Sequence, residues 1–119
     1  MTSITQKIGY GDIILHRGVT EHIGVHWTQD LKDGRGPQPV DLEGWYGRYL
    51  MLGPQGQQWY TQTDLSLDSQ GVAAVTIPAN AFTDDQWAGR VNGEWRILAT
   101  APDTSRVEML GWGHYQLTI

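Results

Sequence analysis

The apolar residues of this chain repeat every second position, and that period limits what it can fold into more than any other feature. Across residues 20–28, Ile23, Val25 and Trp27 alternate with His22, Gly24 and His26. Successive side chains of an extended strand point to opposite faces, so this spacing predicts one buried and one outward face. The period returns in residues 45–52 and, after Gly53-Pro54-Gln55-Gly56, in residues 57–63, which together read as a hairpin. Leu65 and Leu67 alternate with Asp64, Ser66 and Asp68 before Gly71 turns the chain into residues 72–77, closed by Pro78. Trp95, Ile97 and Ala99 share a face of the next strand, Ala101-Pro102-Asp103-Thr104-Ser105 supplies a turn, and residues 106–119 return.

The last strand changes phase. Val107 and Met109 hold one parity, Leu110 and Trp112 the other, and Tyr115, Leu117 and Ile119 the first again. Gly111 and Gly113 sit at the change, and glycine tolerates the backbone that a β-bulge requires. With residues 13–16 added, about seven strands follow one another at turn spacings of roughly eight to twelve residues. This predicts an all-β fold, a seven-stranded antiparallel β-sandwich of the immunoglobulin-like kind.

One short helix is expected within it. Thr83-Asp84-Asp85-Gln86 matches a capping box, in which the threonine hydroxyl and the glutamine side chain satisfy backbone amides reciprocally. Asp84 and Asp85 suit the positive end of the helix dipole, which accounts for this acidic pair without a catalytic role. Trp87 would face the sheet and Gly89 would end the turn.

A chain of 119 residues is the size of one domain, read here as residues 11–119 behind a polar arm of residues 1–10 that a neighbour would order. Between the first strands and the hairpin lies a breaker-rich loop, residues 29–41, containing Asp33-Gly34-Arg35-Gly36-Pro37-Gln38-Pro39. Loops of about a dozen residues are uncommon in compact domains and tend to be functional or mobile.

Composition removes several function classes. There are no cysteines, so disulfides, thiolate metal ligands and thiol nucleophiles are excluded. Thirteen acids against eight bases give a net charge of −5, which disfavours a nucleic-acid partner. The first residues lack a basic stretch followed by an apolar run, and aliphatic strings such as Ile13-Ile14-Leu15 are far short of a membrane span. A soluble protein made in a cytoplasm, with no membrane partner, is the expectation. Arginines outnumber lysines six to two, a faint sign of a GC-rich coding sequence and an actinobacterial host.

Catalytic and metal chemistry find little purchase. His22 and His26 have the spacing of a helical metal pair, but residues four apart on a strand lie ~13 Å from each other. Two zinc–nitrogen bonds together reach only ~4 Å. No Gly-x-Ser-x-Gly elbow, His-Glu-x-x-His or phosphate-binding loop occurs. Asp12, Asp33, Asp41, Asp64, Asp68 and Asp103 all fall in or beside predicted turns, where aspartate bonds its own backbone. No catalytic residue, metal or cofactor is expected.

The tryptophans carry the sharper signal. Trp27, Trp87 and Trp95 read as core, whereas Trp45-Tyr46 and Trp59-Tyr60 are adjacent pairs within strands. Both members of such a pair are buried only if both sheet faces are covered, so Trp45, Tyr46, Trp59 and Tyr60 are the interface or ligand candidates.

Asp41-Leu42-Glu43-Gly44 with the strand that follows, Gly56 and the Trp59 strand, and the closing hairpin with Leu110-Gly111-Trp112-Gly113-His114-Tyr115 together resemble a known group. Over residues 10–119 the chain is similar to the small β-sandwich domains of tailed-phage virion proteins, of the upper-baseplate and tail-fibre type. The resemblance implies a non-enzymatic building block, located in the virion, that docks on capsid or tail subunits or on copies of itself. Relatives of that type sit on longer chains, and the end at Ile119 favours a small accessory subunit, a head decoration or a tail adaptor. The alternative is a carbohydrate-binding module in which these aromatic residues stack on host-surface glycans.

Overall fold

The computed structural model describes residues 5–7 and 9–119. Its strands run in the order β1 (Thr5–Lys7), β2 (Gly9–Tyr10), β3 (Ile13–His16), β4 (Glu21–His26), β5 (Thr28–Asp30) and β6 (Gln38–Pro39). The second half continues with β7 (Tyr46–Leu52), β8 (Gln58–Gln62), β9 (Ser66–Leu67), β10 (Val72–Ile77), β11 (Asn92–Thr100) and β12 (Val107–Thr118). The fold is all-β. Seven of these strands, β3, β4, β7, β8, β10, β11 and β12, have four residues or more and match the segments expected from the alternation. The others are two- or three-residue pieces too short to leave a periodic trace.

Among the described residues the strands form three sheets, none of them a closed barrel. The largest runs β2-β12-β11-β7-β8, with β3 also pairing β12. A second runs β4-β10-β9, and a third β1-β5-β6. One expectation needs correcting. The pairing is not wholly antiparallel, because β2 and β3 both run parallel to β12 along its outer edge. They are successive pieces of one edge, broken at Gly11-Asp12. Gly113 lies opposite that break, where a Cβ would collide with the Gly11 carbonyl oxygen.

One core joins the two larger sheets. Ile23, Val25, Ala73, Val75 and Ile77 come from β4 and β10, while Tyr49, Met51, Trp95, Ile97, Ala99, Leu110, Tyr115 and Leu117 come from β7, β11 and β12. Trp27, Trp87 and Trp95 are buried as expected. The phase change of the last strand is a register break. Ile97 pairs Gly111 and Leu98 pairs Met109, so Leu110 is left unopposed. The extra residue keeps Leu110 inward while turning Val107 and Met109 out.

The expected helix is a single 3-10 turn, Asp85–Trp87, and its cap differs from the expectation. Asp84, not Thr83, holds the N-cap and makes no side-chain bond there, while the Thr83 hydroxyl donates back to the Asn80 carbonyl. Arg17 stabilises the turn from outside. Its guanidinium donates to the Trp87 carbonyl at 2.8 Å and the Arg90 carbonyl at 2.9 Å, supplying donors that a three-residue helix cannot.

Part of the long loop is also structured. Thr28 and Gln29 pair with Pro39 and Gln38, so β5 and β6 form a hairpin whose tip is residues 31–37. Within the N-terminal arm, Thr5–Lys7 pairs with β5 and Gly9–Tyr10 with β12 inside the chain itself; residues 1–4 and 8 lie outside the described residues.

Candidate interaction surface

The outward face of the largest sheet can be read from its register. Side chains of paired residues lie on the same side, and the inward set is fixed by buried Tyr49, Met51, Trp95, Ile97 and Ala99. The alternate positions therefore face out in cross-strand rows. The first row is Val107–Thr100–Tyr46, and the next is Met109–Leu98–Arg48. Beyond these come Tyr10–Trp112–Arg96–Leu50 and, further along, Ile14–Gln116–Asn92. Five large hydrophobic residues on this face are exposed: Tyr46 at 64%, Val107 at 61%, Tyr10 at 60%, Ile14 at 59% and Met109 at 36%. Tyr10 stacks edge-on against Trp112 with ring centres 4.8 Å apart, which binds the edge piece β2 to the face.

The four residues singled out by their adjacency have different fates. Trp45 and Tyr46 obey the alternation. Trp45 turns inward, edge-on to buried Trp27 at 5.6 Å, with the Arg106 guanidinium over its ring at 5.4 Å. Tyr46 points out and is the one of the four with a largely free ring. Trp59 and Tyr60 do not separate to opposite faces. Tyr60 pairs Met51 and Gln58 pairs Leu52, so Trp59 is the extra residue of a second register break. Both rings consequently meet Trp87, at 6.4 and 6.3 Å. Arg90 lies 5.0 Å from the Trp59 ring and 4.9 Å from that of Trp87, and Tyr60 donates its hydroxyl to the Gln62 side chain.

Tyr46 also borders a groove of about 590 Å³. Its walls include Trp45, Leu65 and Leu67 on one side and Tyr46, Arg48 and Leu98 on the other, with Gly47 between them. The groove exists because β8 is shorter than β7. β11 pairs β7 from Tyr46 to Leu52, whereas β8 pairs it only from Tyr49. A Cβ at Gly47 would fall 2.9 Å from the Leu65 Cβ, so only glycine lets Leu65 and Leu67 close over this edge.

The titratable groups respond to burial and to local turns. Burial raises the hydroxyl pKa of Tyr49 and Tyr60 and pushes that of Tyr115 up to about 12. The Arg35 side chain beside Asp33, and the Ser105 hydroxyl beside Asp103, hold those carboxyls below their usual range. His22 Nδ1 meets the Thr76 hydroxyl at 3.2 Å and His26 Nε2 meets the Gln70 carbonyl at 2.8 Å, so each ring is engaged separately along β4. Among the described residues no three His, Asp or Glu side chains gather where a metal ion could be held. Nor is any helix long and apolar enough to cross a membrane.

The sequence matches no protein-family model and no curated protein. Adjacency of aromatics found Tyr46 but missed Tyr10, Val107, Met109 and Trp112. The parity change in residues 107–112 held the signal for Val107 and Met109, which it placed out of phase with Leu110, whereas it grouped Trp112 with that buried residue.

Proposed function

We propose that this chain is a non-enzymatic docking subunit of a tailed-phage virion, built as an immunoglobulin-like β-sandwich. Its two larger sheets, β3-β12-β11-β7-β8 and β4-β10-β9, share one core, the arrangement a sandwich requires. The observation that carries the docking role is the concentration of exposed Tyr10, Ile14, Tyr46, Val107 and Met109 on one sheet face. Large apolar side chains gathered on one face mark an interaction site, whereas scattered ones do not. The virion address comes from the sequence resemblance. A stacking role on sugars is less favoured, since Trp45, Trp59 and Tyr60 spend their rings on Trp27, Trp87, Arg90 and Arg106.

Co-sedimentation with phage particles tests this reading. The wild-type chain should co-purify with capsid or tail protein in fixed stoichiometry. The double variant Tyr46→Glu, Val107→Glu should lose attachment by tenfold or more while melting within about 0.5 kcal/mol of wild type, because both sites are exposed. A chain that stays monomeric and ignores particles refutes the proposal.

A further inference from the structure

Strand β4 leaves one flank of its sheet open. Along a strand, the backbone N–H and C=O of one residue point to the same neighbour, and those of the next residue to the other. The Trp27 amide donates to the Gly71 carbonyl at 2.7 Å and its carbonyl accepts the Val40 amide at 3.1 Å, so Trp27 points toward β10 and the end of β6. Ile23 and Val25 share that direction. The backbone groups of His22, Gly24 and His26 therefore point away from β10, and among the described residues no other strand pairs β4. All three residues are exposed, which for Gly24 is exposure of the backbone itself. Residues 22–26 contain no proline, lysine or carboxylate, the devices that keep exposed edges from pairing. The imidazoles lean toward the β10 side and leave the flank clear, with His22 Nδ1 at the Thr76 hydroxyl and His26 Nε2 at the Gln70 carbonyl.

We propose that β4 pairs antiparallel with β4 of a second copy of this chain, Gly24 against Gly24 on a two-fold axis. The length and register of the open flank select this occupant. At one end it stops where the turn of residues 17–20 leads in from β3. At the other, β1 already pairs Thr28 on the same flank, because β6 holds the opposite one. Gly24 is the midpoint of the stretch between them, Glu21 to Trp27, so a second β4 fills it and its own turn ends where β1 begins. His22 then opposes His26 of the second copy, and the groups now unpaired form about six backbone hydrogen bonds across the axis. On the inner face Ile23 opposes Val25 of the second copy. These two are the least covered core residues of β4 and β10, each 8% exposed against 0%, 2% and 0% for Ala73, Val75 and Ile77, and a neighbouring strand completes their burial. The face carrying Tyr46 and Val107 belongs to the other sheet, so this pairing goes beyond the docking reading and does not depend on it.

Sedimentation equilibrium of the whole chain tests the pairing and should show a monomer–dimer equilibrium in the micromolar range. Gly24→Pro removes an edge donor without touching a bond to β10, and should weaken the dimer about tenfold or more while circular dichroism shows the chain still folded. The chain has no cysteine, so Gly24→Cys reports the register independently. A Cβ at Gly24 makes only ordinary contacts, 3.8 Å from the Ala73 carbonyl oxygen and from the Ala74 Cβ, which leaves room for the side chain. Facing residues of such a pair lie ~5.5 Å apart at Cα, within disulfide range. Under mild oxidation Gly24→Cys should therefore cross-link about tenfold faster or more than Gln55→Cys, in the exposed turn of the β7–β8 hairpin. The proposal is overturned by a wild-type chain that stays monomeric at about 1 mM. It is equally overturned by a folded Gly24→Pro that dimerises like wild type, or by Gly24→Cys cross-linking no faster than Gln55→Cys. Should Gly24→Pro not fold, the cross-linking rate decides by itself.

Discussion

Gly71 is where one added methyl group should show most clearly how this fold is held. It sits at φ +79°, and its carbonyl accepts the Trp27 amide at 2.7 Å, while the Trp27 carbonyl accepts the Val40 amide at 3.1 Å. A Cβ on residue 71 would stand 2.5 Å from the Trp27 carbonyl oxygen and 3.1 Å from Val40 backbone atoms. These neighbours are backbone and cannot swing aside. Gly71→Ala therefore carries about 1 kcal/mol for the left-handed conformation. It also carries about 1 kcal/mol for each of the two backbone hydrogen bonds forced apart. The sum is roughly 3 kcal/mol, against a total stability on the order of 6–18 kcal/mol for a chain this long. In urea this is a midpoint lowered by roughly 1–2 M. Gly56→Ala supplies the control: its φ is +84°, but nothing lies within 4 Å of its Cβ position. That variant should lose only the conformational ~1 kcal/mol. Equal midpoint shifts for the two variants would refute the steric account of the Trp27–Val40–Gly71 junction.

Other outcomes follow from the burial and hydrogen bonding of single side chains. Tyr49 is buried with no partner for its hydroxyl, so Tyr49→Phe should leave stability unchanged or raise it by up to ~1 kcal/mol; a loss measured by urea titration would mean the hydroxyl is bonded. Burial raises the Tyr49 and Tyr115 pKa values above 10, so their stabilising contribution is complete below pH 10 and is lost as pH rises toward and through the folded values. Each such tyrosine should steepen alkaline unfolding by up to ~1.4 kcal/mol per pH unit above pH 10, and Tyr49→Phe should flatten that slope. Arg17→Ala should cost about 2–3 kcal/mol by removing the charged donors from the Trp87 and Arg90 carbonyls, of which Trp87 keeps the Arg90 amide, and Arg17→Lys should recover only part of it, since an ammonium lacks the planar fork. Full rescue by lysine in thermal melts would show that charge alone is what matters there.

Alternation by itself determined the all-β character of this protein and its seven longer strands. Trp27 and Trp95 are core because period two leaves them no other face, Trp87 because its helical turn packs on Trp59 and Tyr60, and the Gly111–Gly113 phase change is legible in the residues themselves. What it could not determine were the features set by contacts between distant segments. Parallel pairing of Ile13–His16 with β12 joins residues about a hundred positions apart, and no local period encodes a partner. The capping box of Thr83 is a local rule that goes unused, because the turn starts one residue later, at Asp84, and the Thr83 hydroxyl donates to the Asn80 carbonyl instead. Trp59 and Tyr60 look like opposite-face residues until β8 slips by one against β7, and that slip belongs to the pair of strands. The exposed apolar face is tertiary in the same sense: Tyr10, Ile14, Tyr46, Val107 and Met109 share one sheet face only when β2, β3, β12, β11 and β7 lie side by side.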